Sequence, residues 1–96
     1  MITDEQLLER SLARTAKRLG VEVGELQWAY EEQEGICKIC KDKLSRGVGG
    51  LVVDYDYNAG CLRGFLCRKC KTGVASFKES VTALKAAIDY LNVPRI

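Results

Sequence analysis

"LVVDYDYNAGCLRGFLCRKC", residues 51–70, reads as strand, turn, strand and cysteine knuckle in immediate succession. Its two runs are rich in β-branched and aromatic residues, and "NAG" at 58–60 separates them with turn chemistry. This pattern predicts a β-hairpin. Upstream, Gly47, Gly49 and Gly50 predict a flexible approach loop. The stretch closes on Cys67 and Cys70, and the same C-x-x-C spacing occurs at "CKIC", residues 37–40, with 26 residues between Cys40 and Cys67. Two such knuckles supply four thiolates for one tetrahedral zinc at about 2.3 Å each, leaving no open position for water or substrate. Cys37, Cys40, Cys67 and Cys70 are therefore expected to hold one structural zinc. A redox dithiol would be a lone C-x-x-C beside a βαβ pattern, which this chain does not show. Cys61 falls outside the knuckle spacing and reads as a small packed thiol with no assigned function.

Helical patterns flank this centre. Thr3 and Gln6 have the spacing of a capping box, and Leu8, Leu12, Ala16 and Leu19 follow at helical spacing until Gly20. A second helix is expected over about Glu22 to Glu34, with Val23, Leu26, Tyr30 and Trp28 on its apolar side and Gly35 as its stop. After the second knuckle, Ser80 reads as an N-cap. Val81, Leu84, Ile88 and Leu91 then share one face, which is expected to be core, before Asn92 and Pro94 end the helix.

The resulting expectation is an α+β fold: a small zinc-stapled ββα core with a β-hairpin, preceded by two helices and closed by an amphipathic C-terminal helix. One domain is expected over 1–96, with helices at 1–35, the zinc-stapled core at 36–78 and the closing helix and tail at 79–96. At 96 residues and 47% hydrophobic, such a chain builds only a marginal core, and a metal supplies folding energy it otherwise lacks. The opening "MITDEQLLER" has no basic or apolar leader pattern and no run is long enough to span a membrane, so a soluble, cytoplasmic protein is expected.

Charge is unevenly spread. Residues 1–36 carry four Lys/Arg against eight Asp/Glu, whereas residues 37–78 carry nine against three. The basic middle suggests an anionic partner. Four thiolates and one Zn²⁺ would lower the formal net charge from +2 to 0, which weakens that argument without removing it.

The order "QEGICKIC … LVVDYDYNAGCLRGFLCRKC … AAIDYL" resembles the recombination endonuclease VII family of phage-type nucleases, a branch of the His-Me finger (HNH-like) fold. The resemblance covers about residues 18–91. It implies a catalytic strand at Asp54, Tyr55, Asp56 and Tyr57, where family members usually read Asp-His-Asp-His. It also implies a metal-binding Asn at the position of Lys71. In the family the first Asp and that Asn hold a divalent metal, and the His after the Asp is the general base. Here only Asp54 is retained, and Val74 and Ala75 stand where the family has Leu-Gly.

Those replacements bear directly on chemistry. A tyrosine, with a pKa near 10, is a poor general base at neutral pH, and no histidine exists in the chain to replace it. Lys71 brings an ammonium with no lone pair. It is expected to pair with Asp54 in place of the metal, the alternative being a lysine that points into solvent. The function expected is a catalytically inactive zinc module that binds nucleic acid or a nucleic-acid-processing protein, as a regulator or inhibitor of a host enzyme in the host cytoplasm if phage-encoded. Arg63, Arg68, Lys69, Lys71, Lys41 and Lys43 are its candidate contacts. The alternative is an active DNA endonuclease with Mg²⁺ or Mn²⁺ on Asp54 and Asp56, assisted by Lys71.

Overall fold

Thr3 starts the first helix as its residue type and spacing require. Its hydroxyl accepts from the Gln6 N–H at 3.2 Å, while the Gln6 side chain accepts from the Thr3 N–H at 3.0 Å. Two otherwise unpaired donors are satisfied at once. This helix, α1 (Asp4–Leu19), ends where Gly20 turns left-handed at φ 73°. The protein is described here from a computed structural model that covers residues 1–44 and 51–94. The expected flexible loop at Gly47, Gly49 and Gly50 lies outside the described residues.

The second helix, α2 (Val23–Glu32), packs on α1 through Leu26, Ala29 and Tyr30 against Leu12 and Ala16. It ends two residues before the expected Glu34, because Glu34 and Gly35 both adopt positive φ, 56° and 69°. Gly35 has a second constraint: a Cβ there would lie 2.9 Å from the Tyr30 hydroxyl. Trp28 and Val23, expected on the apolar side, are exposed instead. The core contact of so short a helix needs only the narrower stripe of Leu26, Ala29 and Tyr30.

Strands β1 (Val52–Asp56) and β2 (Cys61–Leu66) form the expected antiparallel hairpin. Val52 pairs Leu66, Val53 pairs Phe65 and Asp54 pairs Gly64, after which Tyr55 pairs Leu62 and Asp56 pairs Cys61. Arg63 is thus the extra residue of a bulge, a device that re-aims a side chain. The fully buried Phe65 places the hairpin on the core, where its ring meets Tyr30 edge-on at 6.0 Å. The free side of β2 is closed by Gln33. Its Oε1 accepts from the Phe65 N–H at 2.7 Å, and its Nε2 donates to the Phe65 carbonyl at 2.9 Å. Gly64 makes room for this contact, since a Cβ there would meet Gln33 Oε1 at 2.6 Å.

Helix α3 (Arg68–Ser76) completes the ββα unit. A turn through Lys78 and Glu79, both left-handed, then leads to α4 (Val81–Asn92), whose Ser80 hydroxyl accepts from the Ala83 N–H as a cap. The expectation that the apolar face of α4 is core is overturned. Val81, Ile88 and Leu91 are 64%, 57% and 78% exposed, and no residue of α4 is buried. Periodicity reports that a helix has an apolar side, and burial needs a partner for it. The described core closes without α4, on residues from α1, α2, the hairpin and the two knuckles. No described helix is long and apolar enough to cross a membrane.

Candidate metal centre and the adjoining charge cluster

The first knuckle follows α2 through a tight turn in which Ile36 and Lys43 pair as an isolated bridge. The Cys37 N–H donates to the Asp42 carbonyl at 2.8 Å, which folds residues 37–42 back on themselves. The second knuckle begins at the end of β2 and runs into α3, with Cys67 as the helix N-cap. Together they bring all four sulfurs within 4.8 Å of one another. Cys40 Sγ and Cys67 Sγ are 3.8 Å apart. That spacing fits four sulfurs around a tetrahedral metal, whose edge is about 3.8 Å for a metal–sulfur bond of about 2.3 Å.

Backbone donors already face these sulfurs. The Cys67 N–H points to Cys37 Sγ and the Cys70 N–H to Cys67 Sγ, each at 3.4 Å. Burial pushes the Cys37 thiol up, yet the N–H groups of Cys67, Cys40 and Ile39 outweigh it and bring its pKa down to about 6. Cys70 goes the other way. Burial, then the adjoining Cys67, Cys37 and Cys40 side chains, push it up to about 12. Without a cation, four thiolates cannot share so small a volume, and a bound metal removes that conflict. The cluster is a candidate structural metal site. Cys61, expected to be a packed thiol, is instead exposed at the start of β2, where the hairpin leaves the core, and stands outside the cluster.

One residue along α3 from Cys70, the chemistry changes. Lys71 Nζ lies 2.8 Å from Asp54 Oδ1. On the other side, Arg63 Nε lies 3.0 Å from Asp54 Oδ2, and the Arg63 guanidinium also pairs with Glu79. The β2 bulge presents Arg63 to Asp54, and the left-handed turn after α3 brings Glu79 to Arg63. The Glu79 carboxylate, foremost, and then Asp54 raise the guanidinium's pKa against desolvation. Asp54, with only 13% of its side chain exposed, has both oxygens engaged by cations.

Asp56 is occupied differently. Its Oδ1 accepts from the N–H groups of Asn58 and Ala59, both at 3.0 Å, so the carboxylate shapes the hairpin turn. The Ala59 N–H, then that of Asn58, and the nearby Arg63 charge hold its pKa below the ordinary 3.8 despite some desolvation. Tyr55 and Tyr57 pack ring edge to ring face with centroids 5.1 Å apart.

The candidate contacts divide into two groups. Arg63 and Lys71 face Asp54. Lys69 of the second knuckle lies 3.9 Å from Asp42 of the first, and Asp42 stands between Lys41 and Lys43 in the sequence. This contact brings the two basic knuckles together. Lys69 is held more firmly charged by the Cys40 thiolate first, then by Asp42 and by Cys67 and Cys70. Arg68 is exposed, and its side chain makes no hydrogen bond or ion pair among the described residues. Sequence reading assigned no role to Gln33 and Glu79, because both act across long stretches of chain, on Phe65 and on Arg63.

A model of the recombination endonuclease VII family matches residues 12–93. No curated protein and no solved structure matches the chain.

Proposed function

The chain belongs to the recombination endonuclease VII family, and on that premise we propose that it is a catalytically silent member, a zinc-stapled module that binds nucleic acid without cutting it. One observation carries this reading: the Lys71 ammonium sits 2.8 Å from Asp54, in the place where the family resemblance puts a metal ligand. A fixed cation there satisfies the Asp54 charge and competes with Mg²⁺ or Mn²⁺ for the same oxygens. Tyr55 stands where a general base is needed, and the chain has no histidine to recruit. The alternative two-Asp metal site is disfavoured as well, since Asp56 Oδ1 already accepts two backbone N–H groups.

Zinc is the metal this donor set favours. Four soft thiolates in a closed tetrahedral set suit it, and it would link the knuckles without taking part in chemistry. Arg68, Lys69, Lys41 and Lys43 are the groups that would face phosphates, Arg68 being the most available. Arg63 contributes less, because Asp54 and Glu79 hold it. Contacts of this kind give affinity without sequence preference and weaken steeply with salt. Kinship with phage-type nucleases favours a phage protein that acts on host processes, as a regulator or an inhibitor.

The test incubates the metal-loaded protein with branched, duplex and single-stranded DNA in Mg²⁺ or Mn²⁺, beside an Asp54→Ala control. No cleavage is expected, with a gel shift at low salt that fades at moderate salt. Cleavage that disappears in Asp54→Ala would overturn the silent reading. Absence of any shift at low salt would move the partner from nucleic acid to protein.

A further inference from the structure

We propose that the cleft between the carboxyl end of α1 and strand β1 takes one unpaired nucleobase of a single-stranded nucleic acid, stacked on Tyr57, with the adjoining phosphate held by Arg18. This deepens the nucleic-acid reading above and rests on it. The cleft has a volume of about 220 Å³ and is lined by Arg18, Leu19, Val53, Tyr55, Tyr57 and Lys71, among others. It is smaller than the pockets of about 300–1,000 Å³ that enclose drug-sized ligands, and a single planar ring suits it better.

Three features point to a base. Tyr57 is 75% exposed and lines the cleft, so its side chain is accessible to a ligand there. Its ring is braced: Tyr55 packs against it at 5.1 Å, and Asp56 Oδ1 fixes the turn that follows. A rigid, exposed aromatic ring is a stacking platform for any base, because every base has a π-face. Arg18 supplies the charge. It lies in the last turn of α1, and its side chain makes no hydrogen bond or ion pair among the described residues. Lys71 adds positive potential at the cleft wall, although Asp54 holds its ammonium. A base within a duplex is already stacked on both sides, so this arrangement selects unpaired positions.

The experiment measures binding of the metal-loaded protein to dye-labelled oligo(dT) and to a duplex of equal length, by fluorescence anisotropy across a salt series. Tyr57→Ala is expected to weaken oligo(dT) binding about tenfold, the size of one base–aromatic stack, and duplex binding far less. Tyr57→Phe keeps the ring and should retain the affinity. Arg18→Ala should weaken oligo(dT) binding and reduce its salt slope by about 0.7, the value of one phosphate contact on a single strand. Tyr57 is exposed enough that its truncation leaves the fold intact, which amide NMR dispersion verifies. Unchanged oligo(dT) affinity in Tyr57→Ala, or a wild type that binds duplex and not oligo(dT), overturns the base cleft while the proposed function stands. Binding of neither probe at low salt brings down both.

Discussion

Cys70 and Lys71 are consecutive residues of α3, yet they serve two different kinds of site. Cys70 completes a set of four thiols in which every ligand of a closed metal centre is present. Lys71 completes a site in which an ammonium pairs with Asp54, at the position where the family resemblance implies a metal ligand. The two sites are tied to the fold in different ways. Cys37 is fully buried and Cys70 is 9% exposed, both inside the core, so the cluster and the fold are the same structure. Asp54 lies in the middle of β1 with 13% of its side chain exposed, and its surroundings ask that its charge be balanced. An ammonium and a guanidinium do this as well as a divalent ion.

The hardest test of that contrast removes the cluster. Cys70→Ser, or a strong chelator added to the metal-loaded protein, is expected to unfold the chain, seen as collapse of amide NMR dispersion. Structural zinc contributes about 10–16 kcal/mol of apparent binding energy to folding in small modules, against a typical domain stability of about 5–15 kcal/mol. Dispersion that survives chelation would break the distinction between the two sites.

The Asp54 site should respond more mildly. Asp54→Ala leaves Lys71 and Arg63 as neighbouring cations without their shared carboxylate, and the expected loss is about 1–2 kcal/mol by urea unfolding, allowing for solvent screening. Lys71→Met should cost less, because Arg63 still pairs with Asp54. The reverse order would mean that Lys71 holds the local structure in some way beyond balancing charge.

The smallest effect belongs to Asp56. Its pKa is lower in the folded state than the ordinary 3.8, first because the Ala59 N–H donates to it. Its contribution is therefore present above the unfolded value and is lost as pH falls through the folded value. An acid titration by NMR should move the Asn58 and Ala59 amide signals in that range while the knuckle amides stay in place. Asp56→Asn should flatten the transition.

Much of this was legible in the sequence for identifiable reasons. Cysteine spacing is nearly a geometric statement, since C-x-x-C leaves few ways to point two sulfurs at one centre, and the four cysteines do converge. Thr3 and Gln6 form their cap because both partners lie within one helical turn. The Asp54–Lys71 pair was reached through family resemblance plus charge, and the structure contains it. Other features depend on what a residue meets in space. The periodicity of Val81, Leu84, Ile88 and Leu91 identified a face but not whether anything covers it. Arg63 read as a free phosphate contact because its bulge, which presents it to Asp54 and Glu79, has no sequence signature. Asp56 pairs with Asp54 as a metal ligand only in the alternative of an active nuclease, and the turn claims its Oδ1.

Gln33 carries a last consequence. By donating to and accepting from Phe65, its amide imitates the peptide group of a neighbouring strand on the outer edge of β2. A two-stranded hairpin otherwise offers such an edge to other chains, the usual route to edge-to-edge aggregation. Only a side chain with both a donor and an acceptor can cap the edge this way. A glutamate at 33, as deamidation would produce, turns the group facing the Phe65 carbonyl from donor to acceptor. The solubility of this protein thus draws on an uncharged amide that no charge motif includes, with Lys38 beside it on the same edge.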